Sequence, residues 1–223
     1  MGSSDAARRA GQTPNNSPTA AEKPNAIATE SAPTDVLQWS ALRSTAFWSV
    51  AAPYAMALTA QVGFLVHQIA MLQPTLGRAE AGFSVAALTI AAIVGRFGLG
   101  AFAKRLDIRR FAAWSLASQA VALLAMAATS NATALIAACV VFGLSAGNLL
   151  TLPSLVIQRE FDAASFGMLV GLSWAISQFT YAFGPGLLGV VRDVTGGYTA
   201  ALGICIALEL GAAALILLRP STR

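Results

Sequence analysis

Long apolar runs, separated by short polar links, dominate the chain after its first 44 residues. Six runs stand out, at 46–72, 83–103, 111–130, 133–157, 166–191 and 199–218. Each is close to or above the roughly 20 residues that an α-helix needs to cross about 30 Å of hydrocarbon. The pattern therefore predicts an all-α integral membrane domain at 45–219 with six transmembrane helices in the lipid bilayer.

The first 44 residues have a different composition from the rest. They are rich in Ala, Ser, Thr, Pro and Asn and show no periodic apolar face, which predicts a disordered segment. They also lack the apolar core of a cleaved signal peptide. Residues 220–223 are expected to form a short polar tail.

Composition and charge favour a membrane protein over a soluble one. The chain is 56% hydrophobic and 11% charged, whereas a soluble domain averages about 25% charged residues. The net charge of +4 comes from cations near the ends of apolar runs, which does not indicate a nucleic-acid partner. Cys139 and Cys205 lie inside apolar runs, and the single histidine cannot build a His-rich metal site, so we expect no metal or cofactor.

A basic turn separates the second apolar run from the third. It contains four cations: Lys104, Arg105, Arg109 and Arg110. Short loops with an excess of Lys and Arg stay on the cytoplasmic side. Because six helices return the chain to the side where it started, both termini are predicted to be cytoplasmic.

Polar residues inside the apolar runs are the candidates for a solute-binding cavity, since polar groups in hydrocarbon tend to face protein or water. Tyr54, Gln61 and Gln68 recur every seven residues, which places them on one stripe of the first helix. For His67 the sequence leaves two roles open, a hydrogen bond to a neighbouring helix or a contact to substrate or proton. The full candidate set is Tyr54, Gln61, His67, Gln68, Asn148, Thr151, Trp174, Gln178 and Tyr181.

Glycines and prolines in the fourth and fifth runs predict bends and close packing. Pro153 and the string Gly184-Pro185-Gly186 are expected to loosen or bend their helices. Gly143 and Gly147 form a small-xxx-small pair, which is more typical of close helix packing than of chemistry. Two glycines of the fifth run repeat this spacing: Gly167 and Gly171.

Two charged residues fall at membrane depth. Arg96 lies about two turns from the basic turn, so a side chain that reaches toward the interface is favoured over direct substrate contact. Glu209 has no cation on its own helix, and a role in packing is favoured over a role in transport.

One short string has the spacing of a serine nucleophile, Gly143-Leu144-Ser145-Ala146-Gly147. A nucleophile elbow needs a strand-to-helix turn, whereas Ser145 is predicted in the middle of a helix. An intramembrane serine protease with His67 as its base therefore remains a disfavoured alternative, and the chain is not expected to be an enzyme.

Two stretches resemble motifs of the major facilitator superfamily of transporters. The basic turn is similar to the cytoplasmic loop motif Gly-x-x-x-Asp-Arg-x-Gly-x-Arg-Arg, although Lys104 replaces its acid and Asp107 its second glycine. Gly184 to Tyr198 resembles the Gly-Pro-x-x-x-Gly-x-x-x-Asp-x-Thr-Gly-x-Tyr ending of the eleventh helix. The first motif, together with two residues that precede it, is predicted to form a gating loop. Its residues are Gly95, Arg96, Gly100, Arg105, Asp107, Arg109 and Arg110.

The resemblance implies helices seven to twelve of a bacterial transporter, built as two inverted three-helix repeats in the inner membrane. It implies a cavity lined by the first, second, fourth and fifth helices, and alternating access. The histidine, amides and aromatic residues of that cavity would suit a small organic anion or a neutral amphiphile. The first 44 residues then correspond to the linker that follows an N-terminal six-helix half, which is the expected partner. A six-helix structural or accessory membrane protein without transport is the competing interpretation.

Overall fold

The computed structural model describes residues 42–218, apart from the side chain of Lys104. All regular elements within those residues are helices. The predicted disordered segment lies outside them except for its last three residues, and the predicted tail lies outside them entirely. The α-helices are α1 (Thr45–Leu76), α2 (Arg78–Phe102), α3 (Ile108–Ala128), α4 (Ala132–Leu149), α5 (Leu152–Glu160), α6 (Phe166–Tyr181), α7 (Gly184–Thr195) and α8 (Thr199–Ile216).

Five helical segments are long and apolar enough to cross a membrane: α1, α2, α3, the combined segment Ala132–Glu160, and α8. Their length and composition indicate a membrane protein. The fifth apolar run is two helices rather than one, because the chain breaks at Ala182 and Phe183 and leaves α6 with 16 residues and α7 with 12.

Both helix interruptions are followed by a proline. Thr151 N donates to Asn148 O at 3.0 Å in a tightened turn, and α5 then begins with Pro153 in its first turn. The second break has the same form, with Pro185 in the first turn of α7. A proline lacks the N–H that an interior helix position needs, and its fixed φ suits a helix start. The positions of these two prolines thus explain where the two helices begin again after each break.

The pairing of helices follows a symmetric pattern. The segment α6–α7 packs along α1, and α2 packs along α4. In the same way α8 packs against α1, and α3 packs against α4, while α3 and α8 pack against each other. Exchanging the first three segments with the last three therefore turns each contact of α1 into the corresponding contact of α4 and leaves the contact of α3 with α8 unchanged.

Glycines allow the closest of these contacts. A Cβ on Gly95 would overlap the carbonyl of Leu144, and a Cβ on Gly147 would overlap the carbonyl of Ala92, so α2 and α4 touch backbone to backbone. For Gly167 and Gly171 the packing prediction is wrong in the described part of the chain, since a Cβ there meets nothing within 4 Å.

Candidate functional site

Arg109 is the buried cation at the end of the bundle where the basic turn lies, which we call the basic end. Asp107 caps the N-terminus of α3 by accepting a hydrogen bond from Arg110 N at 3.3 Å. Arg109 is consequently the second residue of α3 and turns inward, with 2% of its surface exposed. Its neighbour Arg110 points outward, with 77% of its side chain exposed.

All five N–H donors of Arg109 are used. Nε and Nη2 donate to the two carboxylate oxygens of Glu160, both at 2.7 Å. Nη1 donates to the carbonyls of Ile216 at 2.9 Å and Leu218 at 2.7 Å, and Nη2 also donates to Ser49 Oγ at 2.9 Å. We call these five residues the arginine clasp.

The clasp satisfies carbonyls that the end of α8 leaves unpaired. The last carbonyls of α8 have no partner within their own helix, and the C-terminal end of a helix attracts cations. A two-point arginine–carboxylate pair is also among the stronger hydrogen-bonded contacts. One side chain therefore joins α1, α3, α5 and α8, and this is the only role of Arg109 that the geometry requires.

Arg159, the neighbour of Glu160, secures the basic turn. Its Nη1 donates to Leu106 O at 2.8 Å and its Nη2 to Ala103 O at 2.6 Å. The end of α5 thus holds the turn through one residue and the start of α3 through the next. The loop and the helix ends around it form one hydrogen-bonded unit.

The remaining residues of the predicted gating loop lie in different surroundings. Arg105 is exposed, and a Cβ on Gly100 would meet nothing within 4 Å. Arg96 Nε donates to Gly147 O at 3.0 Å, a carbonyl in the last turn of α4. Arg96 also lines a surface groove of about 370 Å³ together with Thr89.

The polar stripe of α1 lies inside the bundle rather than on an open surface. Tyr54 and Gln68 are fully buried, and Gln61 is 8% exposed. Gln68 Nε2 lies 3.2 Å from Ser84 Oγ and 3.7 Å from Cys139 Sγ. The seven-residue spacing correctly places these side chains on one face, but the structure packs that face against neighbouring helices.

Asn148 and Thr151 mark the first helix break. Asn148 is 4% exposed and its Nδ2 donates to Leu144 O at 3.1 Å. Thr151 is half-buried and its hydroxyl donates to Asn148 O at 3.1 Å. Both side chains are therefore engaged with the backbone of their own segment.

The polar residues of α6 lie on a more open surface. Gln178 is exposed, Trp174 and Tyr181 are half-buried, and the Tyr181 hydroxyl donates to Gln178 Oε1. The structure thus groups these three, and it does not bring all nine cavity candidates to one accessible surface.

At the end of the bundle opposite the basic end, His67 connects α1 to α7 and to Tyr198. Its Nε2 lies 2.9 Å from Pro185 O, and because a carbonyl only accepts, Nε2 is the donor. Its Nδ1 lies 3.3 Å from the Tyr198 hydroxyl. Of the two roles that the sequence left open, the structure shows the contact between helices. Ser145 instead donates to Val141 O and Phe142 O, so His67 and Ser145 do not form a dyad.

Several buried polar atoms have no hydrogen-bond partner among the described residues. Glu209 is completely buried, and neither of its carboxylate oxygens is bonded. Both amide atoms of Gln119 are in the same position, although this polar residue of the third apolar run was not among the cavity candidates. Buried polar groups are normally paired, which makes these atoms an unusual feature of the interior. The other such atoms are Tyr54 Oη, Gln61 Oε1, Gln68 Oε1 and Asn148 Oδ1.

Sequence reasoning missed Glu160 and Ser49 as parts of the site. A signal for Glu160 was available, because a dense basic turn calls for an acid at the same end, and few acids lie near that end in the sequence. Ser49 carried no comparable signal. In comparisons with known proteins, no family model and no curated protein matches this chain.

Proposed function

We propose that this chain is the C-terminal half of a secondary transporter of the major facilitator type, moving a small solute by alternating access. The observation that carries the proposal is the symmetric helix pairing. Transporters of this class are built from three-helix repeats of inverted topology, with the solute site at the interface between repeats. The pairing of α1 with α6–α7 and of α4 with α2 is what two such repeats require.

The interrupted segments support the same proposal. Discontinuous helices are a recurring device of secondary transporters, because broken backbone offers free polar groups and a point of bending. Here the fourth and fifth segments break next to Thr151 and Phe183. Gln178, which is exposed, and Tyr181, which is half-buried, lie just before the second break, so we place a solute contact on α6.

The arginine clasp supplies a latch for alternating access. It closes one end of the bundle through hydrogen bonds that all depend on one side chain, so that losing Arg109 from its site releases four helices together. A switch between two global states needs an element with two discrete arrangements. In the proposed mechanism the clasp is formed when that end is closed and is broken when it opens.

The partner in this proposal is an N-terminal six-helix half. The outer face of α2 is rich in exposed large apolar side chains, among them Ile93, Val94 and Phe97. Such a face suits contact with a second bundle or with lipid. The four cations of the basic turn further support an inner-membrane protein with the basic end in the cytoplasm.

Co-expression tests the proposal directly. The full chain is reconstituted in vesicles alone and together with a six-helix N-terminal half, and uptake of a panel of radiolabelled organic anions and neutral amphiphiles is measured. We expect uptake only in the combined preparation, and reduced uptake when the chain carries Arg109→Gln. Robust uptake by the chain alone would contradict the half-transporter proposal, and a membrane protein without transport would show uptake in neither preparation.

A further inference from the structure

The outer surface of the bundle carries a narrow groove between α3 and α8 at the basic end. Its volume is about 420 Å³. Small side chains from both helices keep the groove open where two helices would otherwise fill it. Four alanines line it: Ala113, Ala117, Ala213 and Ala214.

Arg110 and Trp114 occupy the rim of this groove, one helical turn apart on α3. Both are exposed, Arg110 by 77% of its side chain and Trp114 by 76%. Arg110 approaches Asp107 through Nε at 3.6 Å, which leaves most of the guanidinium accessible from outside. Tryptophan concentrates at the boundary between headgroups and acyl chains, so we expect Arg110 at headgroup level and Ala117, about one turn deeper than Trp114, at acyl-chain level.

We propose that this groove binds an anionic phospholipid, with its phosphate on Arg110 and one acyl chain along the four alanines. A basic pocket between transmembrane helices is suited to an anionic headgroup. While the arginine clasp is formed, Arg109 holds the walls of the groove in place, because it ties the carbonyls of Ile216 and Leu218 at the end of α8 to the start of α3. This inference needs only a membrane location and does not depend on transport.

A second groove repeats the chemistry on the other side of α8. It has a volume of about 650 Å³ and is lined by Arg43 and Trp48 together with Leu215 and Leu218. An arginine paired with a tryptophan thus occurs on both flanks of the same helix end. The repetition supports the assignment of this level of the bundle to the lipid headgroups.

Tryptophan quenching tests the proposal. The full chain keeps Trp114 as its only tryptophan through Trp39→Phe, Trp48→Phe and Trp174→Phe, and is placed in phosphatidylcholine vesicles. A small fixed fraction of either chain-brominated phosphatidylglycerol or chain-brominated phosphatidylcholine is then added. We expect the apparent affinity for the anionic lipid to exceed that for the zwitterionic lipid by about fivefold, since one arginine near an anionic surface contributes about 1 kcal/mol.

Two variants and a control decide the outcome. Arg110→Gln removes the preference for the anionic lipid, whereas Arg192→Gln, which changes an exposed arginine at the other end, leaves it intact. Ala117→Leu keeps the charge but fills the groove, and reduces quenching by both brominated lipids. Equal quenching by the two lipids in the parent protein would overturn the proposal, as would a preference that survives Arg110→Gln or is lost equally in Arg192→Gln.

Discussion

The two ends of the helix bundle are held together in different ways. At the basic end, Arg109 joins four helices through five donors and one carboxylate. At the opposite end, His67 joins α1 to Pro185 O and Tyr198, and Arg192 Cζ lies 5.4 Å from the centre of the Tyr198 ring. No carboxylate bonds to His67 among the described residues.

This difference shows how the contacts at one end of a bundle can be strong and coupled, while those at the other end are weaker and independent; we call these the firm end and the loose end. A buried guanidinium has a high cost when it loses its partners, so its contacts form or break as a set. The histidine–carbonyl bond is worth at most about 1 kcal/mol, the longer histidine–tyrosine bond is worth less, and the two can break separately. The basic end should therefore behave as a two-state latch, and the opposite end should loosen gradually.

Removing the ion pair should have the largest effect. Arg109→Gln and Glu160→Gln are each expected to lower the free energy of unfolding by about 3 kcal/mol, the lower part of the range for breaking a buried pair, because 31% of the Glu160 side chain is exposed. The measurement is denaturant unfolding of the purified chain in detergent, followed by circular dichroism.

The matched control for this pair is Arg110→Gln, which changes the next residue of α3 and should shift stability by no more than about 0.5 kcal/mol. Because Arg109 and Glu160 contribute to one interaction, the double variant should lose less than the sum of the single variants. Strict additivity, or an equal loss for Arg110→Gln, would show that the latch is not a coupled unit.

Substitutions of glycines at the close helix contacts should have the next largest effect on the free energy of unfolding. Gly95→Ala forces a methyl group onto the Leu144 carbonyl of α4, and overpacking of this kind costs about 1–3 kcal/mol. Gly63→Ala, one turn from His67, meets mainly the Leu188 side chain, which can move, so its cost should be smaller. The same unfolding assay ranks the two.

Gly98→Ala is the matched control for the first of these substitutions. It lies one turn from Gly95 on the same helix, and a Cβ there meets nothing within 4 Å. It should be neutral or slightly stabilising, since alanine favours a helix more than glycine does. A loss for Gly98→Ala comparable to that for Gly95→Ala would mean that the crossing is not the cause.

More of the fold than of the candidate site could be predicted from the sequence. Hydrophobic length fixed the segments closely, as the run 46–72 corresponds to α1, because an apolar helix in lipid has few alternatives. The same run length could not reveal the break at Ala182 and Phe183, although the glycines and proline that follow it predicted a bend. Local sequence determines where helices begin and end, so these features could be predicted from the chain itself.

The burial and the partners of each polar side chain could not be predicted from the sequence. Arg109 and Arg110 look alike in the basic turn, yet one is buried and the other exposed, because Glu160 sits 51 residues away on another helix. Similarly, the spacing of Tyr54, Gln61 and Gln68 correctly gives a shared face but cannot show which helices cover it. Such information depends on tertiary packing, which a single periodic pattern does not encode.

The smallest effect is expected at the opposite end, from His67→Phe. The substitution keeps a ring of similar size against Tyr198, whose centre lies 5.6 Å from that of His67, and removes both hydrogen bonds. The free energy of unfolding should fall by about 1 kcal/mol, because the stronger bond, to Pro185 O at 2.9 Å, carries most of the loss. Tyr198→Phe removes only the longer bond of 3.3 Å and should cost less. Unfolding of both variants beside Arg109→Gln places the two ends on one scale. If His67→Phe cost as much as Arg109→Gln, the opposite end would be as firmly held as the basic end, and the contrast between a latch and a loose end would not stand.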